Sequence, residues 1–272
     1  MENEWKYYNH AIIPKKAPHQ EVTEPNHKIW KNIQGGGKPL FARWTEEFDC
    51  GYETLWWYVI KDTPFDINSI KSKRRYEIKK GLKNFEVNII NADEYAEELY
   101  QVTLKAYEGY PEKYRPNISR ESFEKGLTNW KNHEVYAAFY KESGKMRGYA
   151  WIDVYSEYID FCVLKAHPEY ERYGINAALV YAIVNQYNDK LGKNFYICDG
   201  ARSTLHETKF QDYLEKYFEF RKAYCKLRLK YRFPVGAIVK IIYPFRKVIS
   251  NESSLGTKVR TLLEFEKIVR EE

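Results

Sequence analysis

An α+β fold, with mixed α/β layers around a largely antiparallel sheet, is predicted by three features of this 272-residue chain. From Glu86 onward the elements run as strand, two helices, three strands, helix, strand, helix, strand. The three consecutive strands are joined by short polar turns, so they should pair as an antiparallel meander. The long helix after them is a crossover, which makes the next strand parallel to the last meander strand. With 44% apolar and 17% aromatic residues and both charge signs intermixed, the chain has ample material for a core and lacks the composition of a disordered one.

Residues 1–38 are polar, rich in Pro, His and Lys, and end in Gly35, Gly36 and Gly37, which reads as an irregular arm and turn. LFARWT and ETLWWYVI flank the turn formers Asp49, Cys50 and Gly51 and predict a β-hairpin. A basic helix is expected over Asn68–Lys80, with Ile70 and Ile78 on one side and Gly81 at its C-cap.

EVNII, from Glu86, reads as a strand, and Asp93–Tyr107 carries apolar residues at helical spacing. A second helix opens at Ser119 and includes Glu121 and Phe123. The meander strands are EVYAAFY from Glu134, RGYAWIDV from Arg147 and YIDFCVL from Tyr158, turning at Gly144 and at Ser156 and Glu157. Then come a helix over Ile175–Asn188, the strand NFYIC, a helix around His206–Lys216 and the strand-like FEFRKAYCKLRLKY. The pattern divides the chain into an arm, hairpin and basic helix (1–82), a core (83–231) and a basic amphipathic tail (232–272).

The 44 Lys and Arg against 38 Asp and Glu leave a formal charge of +6, which favours anionic partners without naming one. Cys50, Cys162, Cys198 and Cys225 lie far apart, so neither a zinc spacing nor a disulfide framework is visible, and a reducing cytoplasm is expected. No His, Cys or carboxylate spacing suggests a metal. No signal peptide and no apolar run of spanning length is apparent. The tail FPVGAIVKIIYPFRKVI (233–249) concentrates apolar residues with Lys240, Arg246 and Lys247, and Pro244 breaks it. It should either pack back on the core or lie at an anionic membrane face, in which case the protein would sit peripherally at the inner face.

The most informative stretch is LKAHPEYERYGINAALV, Leu164–Val180, a strand end leading through a Pro-containing turn into a helix. Backbone N–H groups from Arg172 through Tyr173, Gly174, Ile175 and Asn176 to Ala177 should point outward at that helix N-terminus, with the positive end of the dipole behind them. Such a turn attracts anions. Gly174 would let a ligand approach the backbone, and Arg172 would add a charge-assisted contact to phosphate.

This segment resembles the pyrophosphate-binding motif of the GNAT superfamily of acyl-CoA N-acyltransferases. Leu164, Ala166, His167, Pro168, Glu169, Tyr170, Gly174, Ile175 and Leu179 fall in register with it, while Glu171 replaces the family's usual Arg or Gln and Asn176 its usual Gly or Ala. The element order from Glu86 to Tyr231 is similar to the GNAT core as well. DYLEKYFEF, from Asp212, resembles the segment whose Tyr protonates the departing thiolate, a role the resemblance implies for Tyr213. SKRRYEIKKGLKNFEV and YICDGAR are similar to the basic helix and the Asp-Gly strand end of Fem-type transferases. The resemblance implies acetyl-CoA or another acyl-CoA as co-substrate, held by Leu164, Ala166 and residues 172–177, and an amine acceptor that is a small molecule or lipid-linked, such as an amino sugar. Two other readings stay open: a Fem-type transferase using aminoacyl-tRNA, with the basic helix on the phosphates, and a non-catalytic GNAT-fold binding module.

Transfer to an amine needs a base, and carboxylates at strand ends are natural candidates. Asp199 ends its strand and so should face a cleft. Asp160, mid-strand, is the second candidate, although a mid-strand carboxylate can equally face solvent. Backbone N–H groups near Ala166 could polarise the carbonyl. Cys162 shares the alternation of Asp160 and Leu164 and reads as a core thiol, while His167 and His206 read as turn and cap residues.

Overall fold

The computed structural model describes residues 4–31, 37–110, 112, 115–127, 133–204, 209–249 and 253–272. Two compact units emerge, one of Met1–Val59, Ala201–Thr208 and Lys222–Glu272, the other of Ile60–Gly200 and Lys209–Arg221. The sequence places the breaks instead at 82 and 231. Two contacts move them: the basic helix packs within the second unit, and the tail packs on strands of the first.

In the first unit, strands β1 (Trp5–Tyr8), β2 (Ala11–Pro14), β3 (Phe41–Glu46) and β4 (Trp56–Lys61) are joined by the distant β10 (Arg221–Tyr231) in the order β1-β2-β3-β10-β4. The expected hairpin of β3 with β4 does not form. β10 lies between them, pairing antiparallel with β3 from Lys226↔Glu46 to Tyr231↔Phe41, and the backbone N–H of Cys50 in the connecting turn donates to Tyr224 O. Nine residues separate β3 from β4, too many for a tight turn to impose their pairing. The arm is likewise ordered where described: β1 and β2 form a hairpin, β2 runs parallel to β3, and Trp5, Ile12, Ala42 and Trp44 share a core. Gly35 and Gly36 lie outside the described residues.

The tail is helical, as α7 (Val235–Ile242) and α8 (Ser254–Glu271). Ser253 caps α8 by accepting from Gly256 N–H at 3.0 Å. Val239, Tyr243, Leu262, Leu263, Phe265 and Ile268 bury themselves against Phe41, Trp56, Cys225 and Leu227, and Tyr231 Oη donates to Glu266 at 2.6 Å.

The second unit holds the sheet β9-β8-β7-β6-β5, made of β5 (Phe85–Ile90), β6 (His133–Tyr140), β7 (Lys145–Val154), β8 (Tyr158–Ala166) and β9 (Tyr196–Ala201). β5 to β8 are antiparallel neighbours and β9 is parallel to β8, as the sequence order predicts. Its helices are α1 (Ser72–Asn84), α2 (Ala96–Glu108), α3 (Arg120–Leu127), α4 (Pro168–Glu171), α5 (Ile175–Tyr187) and α6 (Lys209–Phe218). Apart from Asn176, Asn185 and Gln186, α5 is apolar, and most of it is buried, with Ile175, Leu179, Val180, Ile183 and Val184 fully enclosed. α2 turns Leu99, Val102, Thr103 and Ala106 inward, the i, i+3, i+4, i+7 stripe of an amphipathic helix, and Thr103 Oγ1 meets Tyr149 Oη at 2.7 Å.

α1 starts later than expected and runs through Gly81. Gly81 is no C-cap: it is buried in the helix interior, where a Cβ would lie 2.4 Å from Gly174 O. Reciprocally, a Cβ on Gly174 would lie 2.8 Å from Gly81 N. Two glycines therefore bring α1 and the turn before α5 into backbone contact.

Candidate active site

The pairing of β8 with β9 covers Tyr158↔Tyr196, Ile159↔Ile197 and Asp160↔Cys198 and goes no further. Beyond it the two strands part, because β8 continues toward the Pro168 turn while β9 ends at Asp199–Gly200–Ala201, where Gly200 adopts a left-handed φ of 84°. A cleft of about 480 Å³ opens there, a size suited to a small-molecule ligand. Residues 161–166 of β8 form one wall, with Asp199 on β9, Phe210 on α6, Tyr110 just beyond α2, and Glu171 and Asn176 at the α4–α5 turn.

Asp199 is partly buried, and loss of hydration pushes its carboxyl up to about 7; the nearby Asp160 carboxylate adds to the rise and a hydrogen bond from Gln211 opposes it. A carboxyl that titrates near neutrality and faces a cleft can accept a proton from an ammonium or hydroxyl group. Asp160 is half-buried one register step away and acts on Asp199 through its charge; it is not among the lining residues.

Lys165 is the cation of the cleft wall. Its Nζ lies 4.2 Å from the Tyr107 ring centroid and 5.1 Å from that of Tyr110, and burial lowers its pKa. Sequence reasoning passed over it, though a lysine inside the otherwise apolar FCVLKA was a visible signal.

Of the predicted donor-binding residues, Leu164, Ala166 and Asn176 line the cleft, whereas Arg172, Tyr173, Gly174, Ile175 and Ala177 do not. Arg172 is exposed and stacks 4.9 Å from the Tyr173 ring, and Tyr173 packs on Tyr140 and Tyr170. The N–H groups of Tyr173 and Gly174 are taken by Tyr170 O and Glu171 O, so the unbonded donors of this turn are confined to the first turn of α5. Contrary to the sequence expectation, Gly174 does not hold space open for phosphate, since Gly81 fills that side. Asn176 Oδ1, by contrast, is buried without a hydrogen-bond partner among the described residues, which marks a place for a ligand donor.

Tyr213 stands in an aromatic stack with Phe210, Tyr217 and Phe218, its phenol pK raised by burial, and it is not a lining residue. His167 caps α4, accepting from Glu169 N–H at 3.4 Å, while His206 lies outside the described residues.

Cys162 is not the core thiol expected. The register shift at Trp151/Ile152 of β7 breaks the alternation, and Cys162 is exposed in the cleft. The pairing of β6 with β7 also sets His133 against Asp153, and the potential ligand atoms of His133, Asp153 and Cys162 lie within 4.8 Å of one another. No linear spacing revealed this group, because three adjacent strands assemble it. Three such ligands could hold a divalent cation.

No family profile matches the sequence, and no curated protein matches it. Among solved structures the chain is similar to FemX, with 11% identity and a TM-score of 0.48 over 68% of this chain and 63% of that one. It is similar to L-PGS from Bacillus licheniformis, with 17% identity and a TM-score of 0.44 over 73% and 65%. It is also similar to the PaiA N-acetyltransferase from Thermoplasma acidophilum in complex with coenzyme A, with 18% identity and a TM-score of 0.31 over 39% and 74%. The chain thus spans a little under two thirds of FemX and of L-PGS. The fold assignment rests on the strand order and registers of the chain itself: an antiparallel meander, a crossover helix and a parallel strand that parts from its neighbour to form a cleft.

Proposed function

We propose that this protein is an N-acyltransferase that moves an acyl group, acetyl in the simplest case, from acyl-CoA to an amine in the cleft between β8 and β9. The observation that carries the reading is Asp199, a cleft carboxyl pushed up to about 7 at the point where the strands part. Asp199 takes the proton from the acceptor ammonium. The freed amine attacks the thioester carbonyl, the tetrahedral adduct collapses with cleavage of the C–S bond, and the second proton, lost by the attacking nitrogen as the amide forms, goes to the departing thiolate.

The donor fits the chain's own groups. The edge of β8 beyond Asp160 offers main-chain groups to the amides of an extended pantetheine arm, as a sheet edge accepts an added strand. Asn176 Oδ1 accepts a ligand N–H or O–H, the first turn of α5 carries positive dipole charge, and Lys165 supplies the cation that a phosphate-bearing donor requires. Glu171 opposes that charge, so affinity for the donor should be modest. An amino sugar, free or lipid-linked, is the acceptor class we favour.

The test is transfer of label from acetyl-CoA to a panel of amino sugars and polyamines, with aminoacyl-tRNA as a separate donor arm. Acetyl transfer that rises through pH 7 and falls at least about a hundredfold in Asp199→Asn supports the proposal. Transfer from aminoacyl-tRNA alone would replace it with the Fem-type reading, and no transfer from either donor would favour a binding module.

A further inference from the structure

We infer that the tail docks the protein onto an anionic phospholipid surface, through an apolar ridge along α7 and a neighbouring basic hollow that takes a lipid phosphate. α7 and the turn after it have two faces. Val239 and Tyr243 point into the core of the first unit. Phe233, Ile241, Phe245 and Val248 stand outward, with 89%, 70%, 62% and 80% of their surface exposed. Ile238 and Leu255 are exposed too. Leaving such a run of large apolar side chains in water is costly, and a partner that buries them recovers that cost. Contiguous exposure of this kind marks an interaction surface.

The charge around the ridge selects the partner. From 232 to 260 the chain carries Arg232, Lys240, Arg246, Lys247, Lys258 and Arg260 against the single carboxylate Glu252. Arg246, Lys247, Arg260 and Lys267 line one hollow, with Leu263 and Glu264 completing it. Glu264 is engaged by Lys267 at 3.8 Å, which leaves the balance in the hollow strongly positive. An apolar ridge bordered by cations is the pattern of a segment lying in a bilayer interface, with its side chains among the acyl chains and its cations at the head groups. No helix among the described residues is long and apolar enough to cross a membrane, so the contact is with one leaflet. A second protein copy fits less well, because the same cations would face one another across a two-fold contact.

The experiment is co-sedimentation of the full chain with phosphatidylcholine vesicles and with mixed phosphatidylcholine–phosphatidylglycerol vesicles. Binding to the mixed vesicles should exceed binding to phosphatidylcholine alone at least about tenfold and weaken in high salt. Ile241→Asp with Phe245→Asp alters only exposed positions, so it should keep the parent melting temperature and abolish sedimentation. Lys247→Glu with Arg260→Glu should weaken binding to the mixed vesicles by about fivefold or more per residue. The inference is overturned if the parent does not sediment with anionic vesicles, or if the ridge variant sediments as well as the parent. It is equally overturned if inorganic phosphate raises the parent melting temperature while anionic vesicles do not sediment it, since the hollow is then a free-anion site. Sedimentation velocity supplies one more refuting result: a parent dimer that Ile241→Asp dissociates, with no vesicle binding, would assign the ridge to a second copy.

Discussion

Replacing Asp199 by Asn should make the protein more stable above neutral pH while removing its catalytic base. Asp199 ionises near 7 in the folded chain and near 3.8 when exposed, because folding strips water from the carboxylate beside Asp160. Its folded pKa lies above its unfolded value, so the native state holds the proton more tightly. As pH rises from about 4 to about 7 the unfolded chain releases that proton first, stability falls, and the full penalty persists above 7. The shift corresponds to about 4 kcal/mol at most, at about 1.4 kcal/mol per pH unit, and water entering from the open cleft reduces this to about 2. Asn cannot ionise and can still accept from Gln211. Asp199→Asn should therefore match the parent near pH 4 and exceed it by about 2 kcal/mol, or about 4–8 °C in melting temperature, at pH 8. Paired melts across that range read the difference directly. A gain that does not vary with pH, or a variant less stable than the parent at pH 8, would show that Asp199 is an ordinary satisfied carboxylate.

Three further outcomes follow from the same geometry. Gly81→Ala should cost about 1–3 kcal/mol by chemical denaturation, because the added methyl meets Gly174 O at 2.4 Å, whereas an unconstrained interior helix glycine would gain up to about 1 kcal/mol from the change; a neutral or stabilising result refutes the backbone contact. Lys165→Met should weaken acetyl-CoA binding about tenfold or more in a competition assay, in line with loss of a charge-assisted contact, with little change in melting temperature. Tyr213→Phe should leave the transfer rate within about twofold, since Tyr213 sits in an aromatic stack away from the cleft wall; a loss of about a hundredfold, the scale of a lost acid catalyst, would restore the thiolate-protonating role.

The second unit was legible where local periodicity decides structure. The meander, the buried α5 and the parallel placement of β9 all follow from strands of alternating residues, short turns and one long apolar helix. The first unit was not, because β10 comes from 160 residues beyond β4 and inserts between two runs that look like a hairpin. No local signal announces such an insertion. Gly81 shows a different limit: Gly near a helix end reads as a cap, and only the tertiary contact with Gly174 reveals close approach. At the site, Asp199 could be singled out as a carboxylate at a strand end, but its titration near neutrality depends on burial and on Asp160. A one-residue register shift carried Cys162 out of the core pattern into the cleft, and the grouping of His133, Asp153 and Cys162 needs the registers of three strands.

Calorimetric titration of acetyl-CoA into the parent and Glu171→Arg proteins tests the central claim most directly, because it asks whether the cleft recognises the donor before any acceptor is known. The account predicts saturable one-site binding to the parent. It also predicts about fivefold tighter binding to Glu171→Arg, as a repulsion of about 1 kcal/mol at a partly exposed site is exchanged for an attraction. No binding to either protein would contradict it and leave the α4–α5 turn as a structural joint between helices.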